Sequence, residues 1–346
     1  MKTSSTILML AAAAGILLMA SCNKMENGQP QDVTVEQSEG NVQQLDEATK
    51  CLGEAYSKMD LSELGPLADK LKDGPLKNLI AAIGKGFNSE NIHLGPSSFA
   101  KIYQYLLQLW ALNECSFPVI LGEDTYFINC NTELIEGVVN HSMLILKNEE
   151  QLLKMVSSHS FGAYSGALTI KGMNLILDHN HTGIGTQTVS LTLQPVDKEE
   201  ALLVLTSDIT DAFTWEDLQN KSFGRSSNYS ASVMGGTIII NGHVKHVGKL
   251  FAQSASLAFI SKEGTDEKTC QDVAASFNEN VAIFLDVNDA NVGVIYADPL
   301  YSLEMEKYTI AFMVDSPMLG EEPLDITSAL AAFGFDIEDM FGPKDE

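Results

Sequence analysis

The stretch Val189-Ser190-Leu191-Thr192-Leu193 decides the fold, because its apolar and polar residues alternate with a period of two. That period is typical of a β-strand with one buried face and one solvated face. Similar short runs, separated by turn-forming residues, recur from Phe117 to Phe312. The runs that share this character are 168–170, 175–177, 201–205, 237–240, 256–260, 281–285, 292–296 and 308–312. The pattern predicts a β-rich domain over 116–346.

Antiparallel strands must hide their unpaired edges by stacking or by closing. We therefore expect an α+β, mostly β fold: an antiparallel β-sandwich or an open barrel, with N-terminal helices packed on it. Inside this domain we expect a helix over 149–156 and a C-terminal helix from Asp325 or Thr327 to Phe333. An echo of 187–191 in 253–257 would be explained by two related β units, and chance similarity between strands of low information is the alternative.

The segment 45–115 has the apolar period of helices rather than strands. Its stripes are Leu76, Leu79, Ile80, Ile83 and Phe87, and then Phe99, Ile102, Tyr103, Leu106 and Trp110. Gly-Pro pairs at 65–66, 74–75 and 95–96 separate the helical pieces. We expect these stripes to be core. The polar segment 22–44 lacks aromatic residues, and its composition predicts a flexible tether.

The first 22 residues form a separate segment. Lys2 supplies a positive charge, an apolar run extends from Ile7 to Met19, and small residues lead to Cys22. The run is shorter than the roughly 20 residues that a spanning helix needs, and the order of features is typical of a signal sequence. The segment resembles the lipobox of bacterial lipoproteins. The alternatives are an uncleaved membrane anchor and an ordinary secretory signal.

The lipobox resemblance implies that residues 1–21 are removed and that Cys22 carries the lipids. The protein would then be a membrane partner through its lipid anchor, in the bacterial cell envelope. Inner-membrane lipoproteins often carry Asp after the cysteine, so Asn23 favours the outer membrane. The sequence leaves the periplasmic and the surface face equally open.

The charge balance excludes one class of partner. The 346-residue chain has 21 basic and 46 acidic residues, a net charge of −25, and Arg225 is its single arginine. Proteins that bind nucleic acid neutralise phosphates with Lys and Arg, so we expect no nucleic-acid partner. An anionic bilayer would also repel this chain, so lipid rather than charge must hold it at a membrane.

Four cysteines follow Cys22: Cys51, Cys115, Cys130 and Cys270. They allow three disulfide pairings. Cys115 and Cys130 bracket two short apolar runs around a turn, which favours a bridge between them, with buried free thiols as the alternative. A loop of this length would contribute about 3 kcal/mol of stability.

Histidines provide the candidates for metal ligation. His179 and His181 would share a face if they lay on a strand, a spacing that zinc sites use. The following residues 182–185 favour a solvated hairpin tip instead. His243 and His246 follow the turn pair Asn241-Gly242. The oxygen-rich stretch 286–293 departs from the EF-hand calcium pattern and favours a hairpin turn.

The sequence lacks the nucleophile-elbow, HExxH, P-loop and dinucleotide-binding patterns. We therefore nominate no catalytic residue and no cofactor. The favoured interpretation is a non-enzymatic binding or structural module with an unidentified protein or glycan partner. One alternative is a lipid-anchored hydrolase with a carboxylate or histidine–metal site. The other is a barrel that carries a small apolar ligand.

Overall fold

A computed structural model describes residues 35–89, 92, 94–136, 138–160, 163–183, 186–212, 224–245, 256–320 and 322–335. The predicted signal sequence, Cys22 and His246 lie outside these residues. In the described chain, one antiparallel sheet of 14 strands carries helices against it and does not close into a barrel. The prediction of a mostly β fold with N-terminal helices packed on it is confirmed. The open single sheet is nearer to the expected open barrel than to a sandwich.

The helices that precede the sheet are α1 (Val35–Lys58), α2 (Leu64–Asp69), α3 (Pro75–Gly86) and α4 (Pro96–Gln108). A 3₁₀ turn, Leu109–Ala111, follows α4. The predicted tether is wrong for residues 35–44, which are helical. The reason is tertiary packing: Asn41 is buried, and its Nδ2 donates to the carbonyl oxygen of Met318 at 3.1 Å.

Each strand pairs with the next one along the chain, so the sheet is a meander. The strands are β1 (Cys115–Leu121), β2 (Asp124–Ile135), β3 (Val138–Lys147), β4 (Glu150–Ser160), β5 (Ala163–Ile170), β6 (Met173–Gly183), β7 (Thr186–Pro195), β8 (Leu203–Ala212), β9 (Gly224–Val233), β10 (Ile238–Val244), β11 (Val281–Val287), β12 (Ala290–Ser302), β13 (Lys307–Val314) and β14 (Leu324–Asp325). Helices α5 (256–263) and α6 (Glu267–Asn278) lie between β10 and β11. Helix α7 (Thr327–Ala332) follows β14, so the predicted C-terminal helix is confirmed.

Within the β-rich domain, one segment predicted as a helix is a strand and one predicted as a strand is a helix. Residues 149–156, predicted as a helix, contribute the start of β4, where Leu153 and Met155 are buried with the period of a strand. Residues 256–260, predicted as a strand, belong to α5, which buries Leu257 and Ile260 and exposes Phe259. The echo of 187–191 in 253–257 therefore pairs a strand with a segment that is partly helical. It no longer supports two related β units.

The two faces of the sheet differ because side chains alternate across each strand. On the helix-facing side, the inner rows across β5–β10 are aliphatic; one of them comprises Leu168, Leu175, Leu193, Leu203, Val233 and Ile238. Helix α4 packs on this face at Gly166, where an added Cβ would lie 2.6 Å from Leu106 Cδ1. The glycine lets the helix approach the sheet closely.

An ionic network attaches the loop between α1 and α2 to the sheet. The Glu63 carboxylate accepts from Lys147 at 2.7 Å and pairs with Lys171 at 3.0 Å, and the Tyr126 hydroxyl donates to it at 3.3 Å. Burial opposes ionisation of Glu63, but the hydrogen bonds from the two lysines outweigh it and lower its pKa. The network holds the first helices at the turn end of β3 and β5.

Candidate functional site

The helix-facing rows change from aliphatic to polar toward one end of the strands. The row beyond the aliphatic ones contains His159, Tyr164, His179, Val189, Ser207 and Tyr229, across β4–β9. The next row contains His181, Gln187, Ile209 and Ser227. We call this part of the sheet the histidine end; its histidines are His141, His159, His179, His181 and, on the other face, His243.

Aromatic and imidazole rings form a continuous set of contacts on this face, which we call the ring row. Its centroid distances are His141–Trp110 5.0 Å, Trp110–His159 5.3 Å, His159–Tyr164 6.3 Å, Tyr164–Tyr103 4.8 Å, Tyr103–His179 5.8 Å and His179–His181 4.8 Å. Three of these six contacts are edge-on, an arrangement that ring quadrupoles favour, and the other three are tilted. The row spans β3–β6.

Helix α4 and the 3₁₀ turn after it supply the two ring-row members that are not on strands. Tyr103 projects from α4 onto Tyr164 and His179. Trp110, in the 3₁₀ turn, remains 41% exposed, and its Nε1 donates to the Ser157 hydroxyl at 3.3 Å. The indole is therefore fixed by a hydrogen bond while much of its ring surface faces solvent.

The described histidines that make side-chain hydrogen bonds make them to uncharged groups. His141 Nδ1 bonds the Thr132 hydroxyl at 3.1 Å, and His179 Nε2 bonds Gln187 Oε1 at 2.9 Å. His243 Nδ1 bonds Asn228 Oδ1 at 2.6 Å. Burial lowers the pKa of His141. A neutral imidazole beside an amide or hydroxyl is suited to hydrogen bonding and metal ligation.

Buried hydroxyl groups extend the polar character beyond the ring row. Ser207 and Ser227 are each 1% exposed, and their hydroxyls have no hydrogen-bond partner in the described part of the chain. The Tyr164 hydroxyl also lacks a bond of normal geometry; burial raises its pKa, and the nearby Ser157 offsets part of that rise. Burying polar groups without hydrogen-bond partners costs free energy. These hydroxyls therefore distinguish the histidine end from the aliphatic core beside it.

The four histidines named from the sequence do not form one cluster. His179 and His181 lie within β6, so the interpretation of them as a hairpin tip is wrong, and both project toward the helix side. His243 lies in β10 on the opposite face, and His246 lies outside the described residues. Among the residues that the structure describes, no three His, Cys, Asp or Glu side chains gather as a metal site.

Cys115 and Cys130 lie directly opposite each other on β1 and β2. The structure has both as free thiols, along with Cys51 and Cys270. Burial raises the pKa of Cys130, and its contact with Cys115 raises it further. The register places the two residues as a bridge requires, and the disulfide itself stays a prediction.

The oxygen-rich stretch 286–293 forms the turn between β11 and β12, as the hairpin interpretation predicted. Asn288 and Asp289 occupy its centre with φ of 55° and 59°. Left-handed conformations at two central residues are typical of a type I′ turn, in which Asn and Asp are favoured. The type I′ turn thus accounts for Asn288 and Asp289 without a bound calcium ion.

Three members of the ring row went unnoticed as site residues in the sequence: His141, His159 and Tyr164. Trp110 and Tyr103 belong to a stripe that was expected to be core, yet Trp110 is partly exposed and both rings belong to the ring row. His141 lies near the start of β3, whereas His159 and His179 lie toward the ends of β4 and β6, and antiparallel pairing brings all three to one end of the sheet. Recognising this arrangement requires the register of β3–β6, which no single segment encodes.

The chain matches no protein-family model, no curated protein and no solved structure. In the described part of the chain, none of the helices combines the length and the apolar character needed to cross a bilayer. The candidate site therefore rests on the geometry of this molecule alone.

Proposed function

We propose that the protein is a lipid-anchored, non-enzymatic binding module of the bacterial outer envelope, and that the ring row binds a glycan. The lipobox resemblance ending at Cys22 supports the anchoring and the location. The ring row supports the binding role.

The observation that carries the proposal is the half-exposed Trp110 between His141 and His159. An aromatic ring offers an apolar face, and the neighbouring imidazoles offer hydrogen-bond donors and acceptors. A sugar ring has the complementary surface, with C–H groups on one face and hydroxyls at its rim. Binding sites commonly combine such an apolar surface with a few placed polar groups.

The ring row contains no carboxylate, lysine or arginine side chain, and this favours a ligand without a formal charge. Its members are imidazole, indole and phenol groups, and the hydrogen-bond partners of His141 and His179 are a hydroxyl and an amide. An acidic or basic sugar would lose its hydration here without gaining an opposite charge. A hydrolase would need a positioned acid or base pair, which the contacts of these histidines do not supply.

The placement of α1 supports an arrangement in which the ring row faces away from the membrane. Asn288, in the β11–β12 turn, donates to Asn41 Oδ1 at 3.4 Å, so the first part of α1 lies at the end of the sheet opposite the histidine end. A chain anchored at Cys22 would reach the body from that side. The ring row would then face away from the bilayer.

A glycan array tests the proposal. The full-length protein in detergent is applied to an array of neutral and acidic glycans, alongside Trp110→Ala and the control Phe259→Ala. Phe259 is 63% exposed on α5, away from the ring row. We expect binding to neutral glycans by the wild type and the control, and at least a tenfold loss with Trp110→Ala. Absence of glycan binding, or equal binding by Trp110→Ala, would contradict the proposal.

A further inference from the structure

We propose that His179 and His181 form a two-histidine site for a transition-metal ion, with Cu²⁺ as the best-fitting ion. Both lie on β6, two residues apart, and both project from its helix-facing side. His181 is exposed and His179 is partly buried, so an ion has access from solvent. This inference does not depend on the lipid anchor or on glycan binding.

The separation of the two rings matches ligation of a single ion. Metal–imidazole bonds are about 2.0–2.1 Å long. With the ion on one nitrogen of each ring, neighbouring ligand positions place the two centroids roughly 4.5–5.2 Å apart, for angles between square-planar and tetrahedral. The observed distance between the centroids of His179 and His181 is 4.8 Å, with 44° between the ring planes. The observed centroid separation lies within the range that ligation of a single ion requires.

Gln187 supplies the orienting contact that metal-binding histidines usually have. Its Oε1 lies 2.9 Å from His179 Nε2, and Gln187 is the register partner of His181 across β6 and β7. When Nε2–H donates to the amide oxygen, Nδ1 keeps its lone pair and becomes the ligand atom. Such outer contacts fix the tautomer and typically change metal affinity by about 10–100-fold.

The surroundings favour a divalent transition-metal ion that binds imidazole nitrogen and takes water molecules as its remaining ligands. Among the described residues no third His, Cys, Asp or Glu completes the site, and the proposed site therefore has two imidazole ligands. Imidazole suits Cu, Ni and Zn rather than Ca or Mg, and affinity for such ligands peaks at Cu²⁺. The net charge of −25 raises the local concentration of cations.

Titration calorimetry tests the site. Full-length protein in detergent is titrated with CuCl₂, NiCl₂ and ZnCl₂ at pH 7.5, for wild type, His179→Ala, His181→Ala, Gln187→Leu and the control His243→Ala. We expect one ion per chain with Cu²⁺ tightest, at least a tenfold weaker Cu²⁺ affinity for His181→Ala, a smaller loss for Gln187→Leu, and no change for His243→Ala. Circular dichroism confirms that each variant is folded.

Electron paramagnetic resonance of the Cu²⁺ complex provides a second readout. The wild type should show nitrogen coupling from two imidazoles, and His181→Ala should show one fewer. Unchanged Cu²⁺ affinity in both His179→Ala and His181→Ala would overturn the site. A loss in His243→Ala as large as that in His181→Ala would overturn it too. Failure of the glycan array would leave these results unaffected.

Discussion

At the scale of single residues, Gly166 shows how one position sets the packing of a helix on the sheet. Its missing side chain makes room for Leu106 of α4, which carries Tyr103 toward the ring row. The glycine lies mid-strand, where it weakens a sheet unless another element must approach closely. Here the approaching element is α4.

Gly166→Ala should destabilise the protein by about 1–3 kcal/mol, because the new methyl overlaps Leu106 and approaches Val156 O to 3.1 Å. Gly53→Ala is the matched control. Gly53 is exposed in α1 with nothing near an added Cβ, so alanine there should stabilise by about 0.5–1 kcal/mol. Urea unfolding measures both changes. Equal or improved stability of Gly166→Ala would show that α4 does not pack as described.

At the scale of elements, most strand positions follow from the alternation of apolar and polar residues. The wrong helix prediction for residues 149–156 has its cause in tertiary packing. Residues 149–156 are rich in helix formers, and Leu152, Leu153 and Val156 have helical spacing. The register shifts where Ile145 pairs with Leu153 and Leu146 pairs with Gln151, so Leu152 is an extra residue on β4, and both Leu152 and Leu153 are buried. Pairing with β3 and β5 thus overrides the local preference.

Only part of the candidate site can be predicted from the sequence, because the rest depends on tertiary contacts. The His179–Asn180–His181 spacing is visible in the sequence, and their shared face follows once β6 is known to be a strand. The contacts of Trp110 with His141 and His159 join three separate elements. Those contacts depend on the register of β3 with β4 and on where α4 ends, which local patterns do not specify.

The β1–β2 hairpin carries a prediction at this scale. Protein purified without reductant, then denatured and alkylated, should be labelled at Cys51 and Cys270 but not at Cys115 or Cys130, because the latter two face each other. Reduction before alkylation should label all four, which peptide mass analysis reads directly. The bridge should add about 3 kcal/mol of stability. Labelling of all four thiols without reduction would show that the disulfide does not form.

At the scale of the whole molecule, the two faces and the two ends of the sheet differ in what they carry. Helices cover one face of the open sheet and bury a largely aliphatic core. The ring row interrupts that core at the histidine end, and the first part of α1 lies at the opposite end. We propose that a lipid at Cys22 holds the protein at the membrane from the side where α1 begins. A lipid is needed because the net charge of −25 would otherwise repel the protein from an anionic bilayer.

The most direct test of this placement is fractionation of cells grown with radiolabelled palmitate, comparing wild type, Cys22→Ser and the control Cys51→Ser. We expect the wild type and the control to incorporate label and to sediment with membranes. Cys22→Ser should be unlabelled and should leave the membrane fraction, because Cys22 is the proposed attachment point of the acyl chains that hold the protein at the membrane. An unlabelled wild type, together with a Cys22→Ser protein that still sediments with membranes, would contradict the account.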